Sequence, residues 1–267
     1  MWGQKPKRVP HRQKANNLTN KGESMKNILV GVSYLGTNYS GWQRQDNSLG
    51  IQEVIENAFE EIGEKGVIIY ASGRTDAGVH AYEQCFSCMV MFSDIKKLPM
   101  ALNSKLPSDI RILWAKEVDE DFHARFSAHK KTYQYRVKTA KVESPFDEFM
   151  TAYIPYTLDL DKMQKASEHI LGTHDFSAFC SSKTTVPDFE RTIYNFNILK
   201  DGDLYIFEIT GNGFLYNMVR IIVGTMVDVG RGKILPSDVK KIIDQKDRAN
   251  AGKTMPAKGL ALKKVEY

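Results

Sequence analysis

Apolar positions along the chain follow two periods. In residues 51–62, IQEVIENAFEEI, Ile51, Val54, Ile55, Ala58, Phe59 and Ile62 recur three and four apart. That is one face of an amphipathic helix. Residues 160–172, LDKMQKASEHILG, predict a second helix, with Gly172 suited to the left-handed position just past its end. PSDVKKIIDQ (236–245) predicts another, and one lies within IKKLPMALNSKL (95–106), interrupted by Pro99. Between them stand short runs rich in β-branched and aromatic residues, which predict strands. They are NILVGVSY (27–34), VIIYAS (67–72), QCFSCMVMF (84–92), IRILWAKEV (110–118), KTYQYRVK (131–138), TIYNFNILK (192–200), LYIFEIT (204–210) and GLALKKVEY (259–267). Asp201-Gly202 marks a hairpin turn between two of these strands.

Up to about residue 120 the order is β-α-β-β-α-β, the split βαβ or ferredoxin-like pattern. The second half has a similar order, and no Pro/Gly/Ser-rich linker separates the two. The expected class is α+β: two ferredoxin-like halves, 25–125 and 126–267, sharing one continuous mixed sheet. Helices pack on that sheet, and the halves face each other across a central cleft.

Charge changes this picture only at the start of the chain. Residues 1–24 hold six basic residues and one acid, which accounts for the whole formal charge of +5 over 267 residues. They show no apolar periodicity and are expected to be a disordered basic segment, with Met25 a candidate native start. The remaining basic and acidic residues balance, so any nucleic-acid surface must come from how charges are distributed. Three cysteines, Cys85, Cys88 and Cys180, argue for a reducing cytoplasm rather than a disulfide framework. The most apolar run, residues 209–227, contains Arg220 near its centre. A central arginine costs about 2.5–3.5 kcal/mol on insertion, so a buried helix is expected there and no membrane span.

Candidate chemistry concentrates in a few places. GRTDAGVHA (73–81) packs Arg74, Asp76 and His80 into a short segment after a predicted strand. Asp and Gly make it a turn in any case; a carboxylate at a strand end is also a candidate nucleophile or base. Arg220, flanked by apolar residues, either reaches water at a helix edge or requires a carboxylate from elsewhere in the fold. If that partner were Asp76, the Arg220 charge would keep the carboxylate ionised. Tyr133 and Tyr135 share one strand face and read either as core residues or as a platform for a flipped base. FHARFSAHKK, just upstream, adds basic and aromatic residues to the same neighbourhood. His80, Glu83, Cys85 and Cys88 have the residue types of a zinc deaminase. However, cysteines three apart on a strand face opposite sides, so no metal is expected.

Taken in order, GWQRQ, GRTDAGVHA, LNSKLPSDI, FHARFSAHKKTYQY, DFSAF, NGFLYNMVRIIVG and the C-terminal GLAL strand resemble the tRNA pseudouridine synthase A family, from about Lys26 to Tyr267. The resemblance implies an isomerase that converts uridine to pseudouridine in the anticodon stem-loop of tRNA, at positions 38 to 40 in tRNA numbering. It implies two ferredoxin-like halves in one sheet, a homodimer, a cytoplasmic location, and neither metal nor organic cofactor. By the same resemblance Asp76 is the nucleophile. Tyr133 stacks on the target base and is a candidate general base, and Arg220 pairs with Asp76. Arg74 helps extrude the base or hold RNA, and Leu260 or Leu262 forms the apolar pocket wall. His80 takes a structural or RNA-contacting role.

Overall fold

The computed structural model describes residues 24–181 and 187–267. Apart from its last residue, the leading basic segment lies outside the described residues. Among the described residues, ten strands form one mixed sheet. The first half supplies β1 (Lys26–Tyr34), β2 (Tyr70–Ala71), β3 (His80–Val90) and β4 (Ile110–Glu117). The second supplies β5 (Lys130–Lys138), β6 (Ala152–Tyr153), β7 (Gly172–Asp175), β8 (Glu190–Asp201), β9 (Leu204–Gly211) and β10 (Leu260–Glu266). The α-helices are α1 (Ile51–Glu61), α2 (Leu98–Asn103), α3 (Leu160–Ser167), α4 (Met218–Gly230) and α5 (Asp238–Gln245).

The order across the sheet is β4-β1-β3-β10-β5-β9-β8-β7, with β2 beside β3 and β6 beside β5. In the first half β1 is antiparallel to β3 and β4, and β2 to β3. In the second half β5 is antiparallel to β10 and β9, and β9 to β8. Each half therefore has the order expected of a split βαβ unit. The seam is parallel: Ala261 and Leu262 of β10 stand opposite His80 and Ala81 of β3.

Two hydrophobic cores form, one around Trp42, Phe59 and Phe86, the other around Phe176, Phe179 and Phe207. Each half contributes to the other's core. Leu262 and Val265 enter the first, Val79 enters the second, and Tyr133 packs against both. Burial of this kind is the main source of stability, at roughly 25 cal/mol per Å² of apolar surface.

Three local expectations change. VIIYAS forms a ladder only at Tyr70–Ala71. The backbone of Ile69 instead bonds side chains of α1: its N–H donates to Glu56 Oε1 (3.3 Å), and its carbonyl accepts from Gln52 Nε2 (3.5 Å). Pro99 does not interrupt a helix but sits in the first turn of α2, where a missing N–H costs nothing. The helix predicted over 160–172 is α-helical only to Ser167 and then tightens into a 3-10 turn, Glu168–Ile170. Gly172 follows at φ +96°. Among the described residues no helix is long and apolar enough to cross a membrane.

Candidate active site

The segment from Ser72 to Val79 joins β2 to β3 at the seam. Its backbone is fixed from several sides. Asp76 O accepts from Val79 N (3.1 Å), and Gly78 adopts φ +74°, the third-position requirement of a type II turn. Thr75 O accepts from Trp42 N (3.0 Å), and the Thr75 hydroxyl bonds the Tyr34 hydroxyl (2.8 Å). Gly73 O accepts from Gln84 Nε2 (2.9 Å), and Ser72 O accepts from Lys131 Nζ (2.6 Å). Gly41, at φ +94°, allows the neighbouring chain to approach: a Cβ there would lie 2.7 Å from Thr75 O. With four of the five carbonyls from Ser72 to Asp76 engaged, the loop is held by its backbone while the Asp76 carboxylate stays available.

Asp76 retains 30% side-chain exposure, and its Oδ2 lies 3.9 Å from Nη1 of Arg220. Arg220 is on the first turn of α4 and is 17% exposed. Its Nε donates to Met255 O (2.6 Å), and its Nη1 donates to Asn217 Oδ1 (2.7 Å). At 3.9 Å the approach to Asp76 is a charge contact rather than a hydrogen bond. Burial raises the Asp76 pKa above the ordinary carboxylate value, and Arg220 opposes that shift without cancelling it. Arg220 acts in the direction expected of it, favouring the ionised carboxylate, but desolvation is the larger of the two effects at this distance.

Tyr133 stands in register with Leu262 of β10 on one side and Ile209 of β9 on the other. Its ring meets Phe214 edge-on at 5.1 Å. Burial, followed by electrostatic coupling to the Tyr34 and Asp76 side chains, pushes its pKa up. A phenolate is disfavoured there, and stacking on a base needs no ionisation. Leu260 and Leu262 are 5% and 1% exposed and lie opposite Tyr135 and Tyr133. They are packed walls beside Tyr133. Arg74 is exposed.

Of the two roles open to His80, structural or RNA-contacting, its surroundings favour the first. It is 1% exposed at the start of β3. Its Nδ1 accepts from Gly36 N (2.9 Å), so the ring hydrogen is on Nε2, which donates to Lys258 O (3.2 Å). Burial lowers its pKa and favours this neutral form. Both nitrogens are committed to backbone, so His80 is structural. Among the described residues, no three His, Cys, Asp or Glu side chains converge into a metal site, and Cys85, Cys88 and Cys180 are buried.

Sequence reasoning overlooked Asn217, Phe214 and Lys131. Asn217 was findable, because it lies three residues before Arg220, within reach on a helix. Phe214 and Lys131 reach the site only through tertiary packing.

The family model described as tRNA pseudouridine synthase matches residues 31–127 and 166–267. The tRNA pseudouridine synthase A of Thermoanaerobacter sp. (strain X514) is 44% identical over 91% of this chain and 100% of its own. That of Caldicellulosiruptor saccharolyticus is 46% identical over the same shares. The Halalkalibacterium halodurans protein is 47% identical over 88% of this chain and 90% of its own. Among solved structures, a Cbf5-Nop10-Gar1 complex aligns at a TM-score of 0.38 and 11% identity, over 88% of this chain and 48% of that chain. That likeness is too distant to carry weight. The family match and the full-length relatives establish that this chain belongs to the tRNA pseudouridine synthase family, isomerases that convert uridine to pseudouridine.

Proposed function

We propose that this isomerase modifies uridines at positions 38 to 40 of the tRNA anticodon stem-loop, with Asp76 as nucleophile. The carrying observation is a partly exposed carboxylate on a backbone-fixed loop at the seam, 3.9 Å from the Arg220 guanidinium. The target positions rest on the similarity of the motifs to the family.

The target base must leave its stack before Asp76 can reach it. Asp76 attacks either ribose C1′ or uracil C6, and the C1′–N1 bond breaks. The freed uracil is retained against Tyr133 and turns to present C5. A C5–C1′ bond forms, the C5 proton departs and N1 gains one, so the atoms of uridine and pseudouridine balance without a cofactor. By the C1′ route the carboxylate is released as the carbon–carbon bond forms. Burial, which raises its basicity, then suits it to accept the C5 proton. Arg220 anchors the carboxylate and limits that rise. The first half, 25–125, supplies the Asp76 loop, and the second, 126–267, supplies Tyr133, Arg220 and the Leu260–Leu262 wall. The working form is a homodimer in the cytoplasm, a location consistent with a sequence of only three cysteines.

Asp76→Asn tests the assignment with tRNA carrying 5-tritiated uridine. Tritium release is expected to disappear while tRNA binding persists. Release at the wild-type rate would remove Asp76 from the chemistry. Mapping pseudouridines in tRNA from a deletion strain tests the positions: loss confined to 38–40 is expected.

A further inference from the structure

The turn between β4 and β5 displays an aromatic and basic cluster that the isomerisation does not use. Phe126 is 77% exposed. Its ring centroid lies 4.5 Å from that of His123, and His123 lies 5.3 Å from Tyr70, which is 42% exposed. The Arg125 guanidinium sits 5.7 Å from the Phe126 ring.

This turn is firmly attached. Ala124 is fully buried, and its N–H donates to Ser87 Oγ on β3 (3.1 Å). Asn27 Nδ2 on β1 donates to Phe122 O (2.9 Å). Phe126 N and Ser127 N both donate to His123 O (3.0 and 2.9 Å). Phe126 is therefore held in solvent by a fixed backbone, in one contiguous patch with His123 and the exposed Tyr70, and a contiguous exposed apolar patch marks an interaction surface.

The cluster is continuous with the Asp76 loop. Tyr70 begins the strand that leads into it, and Lys131 bonds the carbonyl of Ser72, two residues before Arg74. Among the described residues Arg74, Arg125 and Lys131 have no ion-pair partner. Burial and the nearby Arg125 charge pull the Lys131 ammonium down to about 8. Cations left to repel one another beside exposed rings fit single-stranded RNA, whose phosphates meet the charges and whose bases meet the rings. A protein partner would have to bring carboxylates to the same spots.

We propose that Tyr70, His123 and Phe126 form a stacking platform for an unpaired nucleobase of the substrate RNA other than the target uridine, with Arg125 and Arg74 holding the flanking phosphates. The proposal rests on reading the Asp76 loop as the active site. It makes the turn a second point of RNA contact that sets affinity and register.

The test uses the full chain and unmodified tRNA, with binding and turnover measured separately. Phe126→Ala, at an exposed position, is expected to bind tRNA roughly 5- to 100-fold more weakly, the range for losing one stacked base. The loss should fall on KM rather than kcat. Phe126→Trp should restore binding and Phe126→Leu should not. Arg125→Ala should lower the slope of log affinity against log salt by about one. Wild-type affinity in Phe126→Ala, or full rescue by leucine, would overturn the platform. So would a Phe126→Ala effect confined to self-association without RNA, which would make the surface a protein interface. Asp76→Asn keeps the two readings apart: turnover in that variant removes the active-site assignment, whereas its inactivity together with normal binding by Phe126→Ala removes only the platform.

Discussion

At Asp76 two effects of opposite sign meet, and burial prevails over the Arg220 charge. Catalysis by the carboxylate anion then predicts an acid limb in kcat/KM at a pH above the ordinary carboxylate value of about 3.9. Removing the opposing cation should move that limb further up, so Arg220→Met should lose activity at a higher pH than wild type. Tritium release measured across the acid range checks it; an unmoved limb would mean that the Arg220 charge does not reach Asp76. The stability sign follows from the same shift. A carboxylate with a raised folded pKa holds its proton more tightly folded than unfolded, so stability is lost as pH rises through the unfolded value towards the folded one. At neutral pH the ionised Asp76 is a net cost. Asp76→Asn should therefore melt no lower than wild type while being inactive, a combination that calorimetry and tritium release together can read. At this scale the sequence was informative about residue types. A lone arginine in an apolar run calls for a partner, and an aspartate between turn residues is a candidate site. The sign of the Asp76 shift depends on depth and distance, which no spacing encodes.

Among the elements, the loop that carries Asp76 is set by its neighbours more than by its own residues. Gly41, outside the loop, has φ +94° and no room for a Cβ against Thr75 O. Gly41→Ala should strain its own backbone and displace the Thr75 carbonyl, costing about 1–3 kcal/mol. Turnover should fall because the carboxylate shifts. Urea denaturation and tritium release on the same preparation check both effects, and unchanged turnover would show that the loop does not depend on this contact. Helix α1 and the long strands were legible because their apolar periodicity is strong over many residues. β2 was not, because α1 side chains take the hydrogen bonds of Ile69, a partner choice set by tertiary packing. The role of Pro99 turned on where the preceding 3-10 turn ends.

For the molecule as a whole, the seam is the decisive feature, and His80 spans it. Its ring accepts from Gly36 in the first half and donates to Lys258 in the second. Burial lowers its folded pKa below the unfolded value of about 6.5. The unfolded chain then takes up a proton that the folded chain resists, so stability falls as pH drops below about 6.5 towards the folded value. The slope from this one group cannot exceed about 1.4 kcal/mol per pH unit. Urea midpoints between neutral and mildly acidic pH should show this decline in wild type, and His80→Asn should remove it; an identical slope in the variant would assign the decline elsewhere. His80 lies in the same nine-residue motif as Asp76, and the motif alone does not say which of the two faces solvent.

The sequence by itself determined the repeated split βαβ order and the α+β class, because apolar periodicity and turn residues act locally. It also determined the family, because long motifs recur in order along the chain. Only the tertiary structure decided that β10 joins the halves by running parallel to β3, that Arg220 comes to rest 3.9 Å from Asp76 across 144 positions of chain, and that His80 is buried while Phe126 is not. Those outcomes depend on which surfaces lose water and which charges are left facing each other, and both are settled only when distant segments pack.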